Sequence, residues 1–196
     1  MTLVLASRSR SRIELLTNAG ITFDVDAADI DEDGIGAATP EPRARAMLLA
    51  IAKARVVSAR HPGKLVLGGD QVSLLDDGSY LEKPRDPEDH VRMLVSMSGR
   101  THRFFPCAAL VIDDVVRAQV SDEVAVTFRA FPQATARAYV EGGEGQGSCG
   151  GYEIEHQGAQ LVQCVDGSVH AVLGLPLLPV LRMLRDSGVA VPGLLR

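Results

Sequence analysis

The chain has 196 residues, a length that fits one sizeable domain. It is 46% hydrophobic and 23% charged, with 4% aromatic residues and no Trp, so an aliphatic core is expected. The net charge of −5 argues against broad nucleic-acid or membrane-surface binding, so any anionic ligand must be met by a local cationic site.

Residues 2–6 form a short apolar run that predicts a strand. Ser9 stands where an N-cap belongs, and Ile13, Leu15, Leu16 and Ala19 give the apolar face of a helix that Gly20 ends. Residues 21–27 alternate like a strand, and the acidic stretch 28–40, with Gly34 and Gly36, reads as a loop. A long helix rich in Ala, Arg and Leu is predicted over 41–60. Residues 65–69 predict a buried strand ending at Asp70, followed by a hairpin over 71–81 that turns at Asp76-Asp77-Gly78. Asp86 caps a helix that runs through Met97, and residues 100–112 and 115–128 read as two strands joined at Asp113-Asp114. Residues 132–141 read as a helix, 142–151 as a glycine-rich loop, 159–164 as a strand and 176–186 as a closing helix. Strands and helices mix without strict alternation, so the fold class is α/β with a mixed sheet. With no repeat and no linker, one domain over 1–196 is expected.

Cys107, Cys149 and Cys164 are odd in number and lack a CxxC pair, which points to a reducing compartment and no disulfide framework. The first six residues are too short and too soon polar for a secretory signal, and no apolar run approaches the ~20 residues that span a bilayer. A cytoplasmic protein is expected.

Five constellations could carry chemistry. Ser7-Arg8-Ser9-Arg10-Ser11-Arg12 lies between a strand and a helix, where unpaired helix N–H groups, hydroxyls and guanidinium forks can cradle phosphate. A capped surface helix with solvated Arg is the plainer alternative. Asp70, in Gly68-Gly69-Asp70-Gln71, stands at the carboxyl end of a predicted strand, where open α/β sheets place ligand chemistry. It could equally just begin a turn. Lys53 and Lys83 are compact charges suited to phosphate, though each alone reads as a surface lysine. Asp31-Glu32-Asp33 could hold Mg²⁺ or Mn²⁺, against a solvated acidic loop. Gly145-Gln146-Gly147-Ser148-Cys149-Gly150 matches GxGxxG but follows a predicted helix, the wrong context for a dinucleotide site. There is no Walker-type GxxxxGK[ST] and no HExxH, and the five His show no ligand spacing.

In this order the pieces resemble the Maf family of nucleoside triphosphate pyrophosphatases over nearly the whole chain. The resemblance rests on Leu5-Ala6-Ser7-Arg8-Ser9, Asp31-Glu32, Lys53-Ala54, Gly68-Gly69-Asp70-Gln71-Val72 and Lys83-Pro84. It continues through Ser98-Gly99 with His102, Gly150-Gly151-Tyr152, Gly158-Ala159 and Gly174-Leu175-Pro176-Leu177. It implies an elongated α/β fold with a cleft between two lobes, as in Maf and ITPase-like proteins, and Mg²⁺- or Mn²⁺-dependent hydrolysis between the α- and β-phosphates. It implies Asp70 as the catalytic acid that activates water or binds metal, with Glu32 as a second metal-side carboxylate. Ser7, Arg12, Lys53 and Lys83 would hold the triphosphate. Nearby Lys53 and Lys83 are expected to keep Asp70 ionised. The resemblance allows a homodimer.

Two departures from the family pattern bear on the substrate. Arg10-Ser11-Arg12 stands where the family usually has Pro-Arg-Arg, and Gly147-Ser148-Cys149-Gly150 stands where many relatives have Asp-Lys-Ala-Gly, so a cation is missing at Ser148. The second change, with Asp70-Gln71, resembles the 7-methyl-GTP pyrophosphatase subfamily. That subfamily places Glu near Glu155, a carboxylate able to accept two hydrogen bonds from a guanine edge that uracil lacks. A guanine-type base is therefore expected. Ser11 removes an aromatic partner for a methylated base, which leaves GTP or another modified nucleotide open. The alternative function is a nucleotide-binding regulator of cell division or septum formation with little turnover.

Overall fold

The computed structural model describes residues 2–36 and 39–189. Met1 and positions 37–38 of the predicted acidic loop lie outside them, as does the end of the chain from 190. The strands are β1 (Leu3–Leu5), β2 (Phe23–Val25), β3 (Leu65–Leu75), β4 (Thr101–Ile112), β5 (Val115–Ser121), β6 (Val124–Phe128) and β7 (Val162–Asp166). The helices are α1 (Arg10–Asn18), α2 (Glu32–Gly36), α3 (Pro42–Arg60), α4 (Pro87–Met97), α5 (Gln133–Glu141), α6 (Val169–Val172) and α7 (Leu177–Asp186). The hydrogen-bonded strand order is β2-β1-β3-β4-β6-β7, with β5 also paired to β4. This is the mixed α/β sheet that the sequence predicts.

The chain divides into two compact units, one of Met1–Gln71, Phe105–Asp122 and Gly174–Arg196, the other of Val72–Phe104 and Glu123–Leu173. In the first, β1 pairs in parallel with both β2 and β3. Val4, Ala6, Val66 and Val111 close on Ala54 and Val57 of α3 in an aliphatic cluster. Parallel strands are covered on both faces, which is why they read as near-continuous apolar runs. In the second unit, β4, β6 and β7 are antiparallel. There the core gathers Phe104, Phe128, Phe131, Tyr139 and Tyr152 with Leu94 and Met97. The expectation of an aliphatic core holds for the first unit and fails for the second, where the scarce aromatics are concentrated.

Local chemistry explains the well-placed elements. Asp86 accepts a hydrogen bond from the Asp89 amide at 2.7 Å, and Pro87 supplies the preset first helical residue of α4. Asp113 and Asp114 both take positive φ, 48° and 65°, as a two-residue hairpin turn requires. Several boundaries differ from the sequence reading, and α6 (Val169–Val172) has no counterpart in it. Asp31, accepting from the Gly34 amide at 3.0 Å, caps the short helix α2 inside the predicted acidic loop. β3 does not stop at Asp70 but continues to Leu75. The single strand expected over 115–128 is two, because β5 pairs with residues 107–112 of β4 and β6 with residues 101–104. Between those ladders lies Pro106, which has no N–H to donate, and its carbonyl instead accepts from Asp122. The last strand starts at Val162, because residues Gln157–Leu161 coil into a 3₁₀ turn.

Candidate active site

On α3 the buried positions Ala46, Leu49, Ala50, Lys53, Ala54, Val57 and Ser58 recur with helical spacing. Lys53 is the one charged residue in that stripe. Gly68 on β3 sets the contact, since a Cβ there would lie 2.1 Å from the Ala50 carbonyl oxygen and 2.8 Å from the Ala54 Cβ. The helix backbone therefore lies directly on the strand, and the turn carrying Lys53 is brought to Asp70 two residues on. Lys53 Nζ donates to Asp70 Oδ1 at 2.6 Å. The same ammonium pairs with Glu32 Oε2 at 2.9 Å, presented from the start of α2. Lys53 and Asp70 are buried, and Glu32 is half exposed.

Beside this cluster Arg12, on the first turn of α1, works as a brace. Its Nε donates to the Gly174 carbonyl at 2.8 Å, and its Nη1 to the Gly69 carbonyl at 2.8 Å and Ser7 Oγ at 3.3 Å. Ser7 Oγ also accepts from the Ser9 amide at 3.2 Å. Ser9 makes no side-chain cap on α1; its hydroxyl instead meets that of Ser11 at 3.2 Å. No acidic residue lies in the first turn of α1, so nothing there offsets the positive end of the helix dipole. Gln71 follows on β3, and a Cβ built at Gly174 would lie 3.5 Å from its Oε1.

Burial is the largest influence on Asp70 and pushes its carboxyl above the ordinary range, with Lys53 and then Arg12 opposing and Glu32 adding a smaller upward push. Lys53 thus acts in the expected sense, favouring the carboxylate, while burial opposes it more strongly; Lys83, the second cation invoked, belongs to the other unit.

The first unit thus brings together Ser7, Ser11, Arg12, Glu32, Lys53, Asp70 and Gln71. Lys83 and Glu155 lie in the second unit. There the Gly150 amide donates to the Glu82 carbonyl at 3.0 Å, which places the glycine-rich loop beside Lys83. Glu155 is exposed on the turn that precedes the 3₁₀ segment. Sequence reasoning missed the bracing by Gly174, whose carbonyl anchors Arg12. It left no signal in the sequence, because a backbone carbonyl carries no residue identity. Among the described residues no group of three His, Cys, Asp or Glu gathers that could hold a metal ion. No helix among them is long and apolar enough to cross a membrane.

Comparison with known proteins places this geometry in context. The family described as Maf-like protein matches residues 2–187. A nucleoside triphosphate pyrophosphatase of Rhodopseudomonas palustris (strain HaA2) is 41% identical over 189 residues, covering 94% of this chain and 93% of the relative. A 7-methyl-GTP pyrophosphatase of Rhizobium johnstonii is 40% identical over 192 residues, covering 95% and 96%. Among solved structures, a HAM1 protein from Coxiella burnetii matches with a TM-score of 0.57 at 17% identity, covering 95% of this chain and 99% of that one, a likeness of fold.

Proposed function

Because the chain belongs to the Maf family, we propose that it hydrolyses nucleoside triphosphates to nucleoside monophosphate and pyrophosphate around Asp70, with a divalent metal and a preference for a guanine-type base such as 7-methyl-GTP. The observation that carries this reading is the buried Lys53–Asp70 pair with Glu32 on the same ammonium, next to Ser7, Arg12 and the start of α1.

The donor set suits a hard cation. Asp70 and Glu32 offer carboxylate oxygens, and Mg²⁺ is commonly held by one or two carboxylates together with water and substrate phosphates. When bound, Mg²⁺ or Mn²⁺ would neutralise the triphosphate and polarise the attacked phosphorus.

The remaining chemistry belongs to the chain. Water attacks the α-phosphorus, the bond from that phosphorus to the β-bridging oxygen breaks, and pyrophosphate leaves. Asp70, as carboxylate, takes the proton of the attacking water. Lys53 supplies positive charge where negative charge develops. Ser7, Arg12 and the first-turn amides of α1 receive phosphate oxygens, and Lys83 supplies a further cation. Gln71 and Ser11 border the substrate, and Glu155 accepts from the guanine edge.

The test is pyrophosphate release from a panel of triphosphates, including GTP, 7-methyl-GTP and UTP, with Mg²⁺, with Mn²⁺ and with chelator. Turnover that needs the metal and favours guanine bases is expected. Binding without pyrophosphate from any triphosphate would sink the enzyme reading in favour of a nucleotide-binding regulator. The reading extends to a cytoplasmic enzyme of small nucleotides, and sedimentation analysis tests the homodimer.

A further inference from the structure

Glu155 makes no hydrogen bond or ion pair among the described residues, yet the turn that carries it is tied down at both ends. At its start the Glu153 amide donates to the Tyr139 hydroxyl oxygen at 3.1 Å. At its end the Gln157 amide donates to Glu144 Oε2 at 3.0 Å. The Glu144 carboxylate also lies within electrostatic reach of the Tyr139 hydroxyl. Residues 153–157 are thus held at both ends, forming a fastened ring of chain, by α5 and the loop that follows it.

The ring has rigid supports. Tyr139 is buried on α5, with its ring in the aromatic core. Gly158 lies against the Glu153 backbone so tightly that a Cβ would fall 2.4 Å from the Glu153 carbonyl oxygen. Just upstream, His90 of α4 bonds to the Gly151 carbonyl and His102 of β4 to the Tyr152 hydroxyl at 2.9 Å. An exposed carboxylate on an unrestrained loop would sample many positions, and ordering it on binding would weaken affinity. Here the ordering is done in advance, by the anchors at both ends of the turn.

We propose that Tyr139 and Glu144 are positioning residues for nucleotide specificity, stapling the 153–157 turn so that Glu155 is preorganised to read the base. This rests on the reading above, in which Glu155 meets the base edge. Its physical content is that the staple governs discrimination between bases while the hydrolytic centre around Asp70 is left as it was. Tyr139→Phe keeps the ring and deletes the hydroxyl, Glu144→Ala deletes the acceptor, and Glu144→Gln keeps a carbonyl acceptor for the Gln157 amide.

Two measurements on the full chain test it. The first is amide hydrogen exchange at Glu153 and Gln157. Tyr139→Phe and Glu144→Ala should each speed exchange at both amides by about tenfold or more, the loss of one hydrogen bond, while Glu144→Gln stays near wild type. The second is the ratio of kcat/KM for GTP over UTP, with Glu155→Gln run alongside. Tyr139→Phe and Glu144→Ala should lower that ratio by about tenfold through KM, with kcat for UTP unchanged, and Glu144→Gln should restore it. If Glu155→Gln lowers the ratio but neither staple variant does, the staple proposal is overturned and the base reading survives. If Glu155→Gln leaves the ratio unchanged, or no triphosphate is turned over, the base reading fails and the proposal with it. Unchanged amide exchange in both staple variants overturns the staple on its own.

Discussion

In the first unit the buried polar groups include full charges, Lys53 and Asp70, drawn together under α3. In the second the buried polar groups among the described residues are a hydroxyl and two imidazoles, those of Ser73, His90 and His102, set in an aromatic core. The difference teaches how one chain separates two demands. In the proposed reading the buried ion pair places strong charge where a phosphoryl group is attacked, but it needs close complementary partners, since an unpaired charge in that setting is strongly destabilising. A neutral hydrogen-bonded framework has no such need. It can instead hold a loop and an exposed carboxylate, Glu155, in one geometry.

The comparison can be broken most severely at the charged centre. Asp70→Asn should lower kcat by about 10³-fold and leave the far-ultraviolet circular dichroism unchanged, because amide and carboxylate have nearly the same volume. Full activity in that variant would remove Asp70 from the reaction. Next in size is Gly68→Ala. Its Cβ would meet the Ala50 carbonyl oxygen, so α3 must move off β3. The expected loss is about 3 kcal/mol in chemical denaturation, with a larger fall in kcat than an equally destabilising change in the second unit. An unperturbed midpoint would show that helix and strand do not touch there.

The neutral side of the comparison is sharpened by pH. Burial lowers the His102 imidazole from its ordinary 6.5 to about 4, with Asp76 opposing weakly. Below the ordinary histidine range the unfolded chain takes up a proton that the folded chain refuses until about pH 4. Stability is therefore full above pH 6.5 and falls as pH drops from 6.5 to 4, by on the order of 3 kcal/mol. Denaturation at a series of pH values should show that slope in wild type and lose it in His102→Asn. An equal slope in both would place the proton uptake elsewhere. The smallest effect is expected at the exposed carboxylate. Glu155→Gln should reduce the preference for GTP over UTP by about tenfold without changing stability, as steady-state kinetics and a melting curve would show together.

The site was partly legible in the sequence because its residues lie at special local positions. Asp70 follows two glycines at the end of a predicted strand, whereas Lys53 alone read as a surface lysine and was singled out by the family resemblance. The strand signal comes from hydrophobic patterning, which is a property of the chain alone. The brace on Arg12 was not legible, since its partners Gly69 and Gly174 offer backbone carbonyls, and a carbonyl carries no residue identity. The early stop assigned to β3 failed for a related reason. Asp70 is a poor strand former, but pairing in the sheet and the Lys53 contact override that local preference. The Tyr139–Glu144 staple was hidden as well, because it bonds to two backbone amides.

By itself the sequence determined most of the helices and strands, the mixed α/β class, the cap at Asp86, the turn at Asp113-Asp114, and which acids and bases were available for chemistry. These follow from hydrophobic period and turn chemistry, which act between near neighbours. Only the tertiary structure decided how those groups are charged and held. It set the Lys53 ammonium between Asp70 and Glu32, let burial rather than nearby cations direct the Asp70 carboxyl, and concentrated the few aromatics in one core. Desolvation and close packing depend on everything around a group, and most of that surrounding comes from residues far away in the chain.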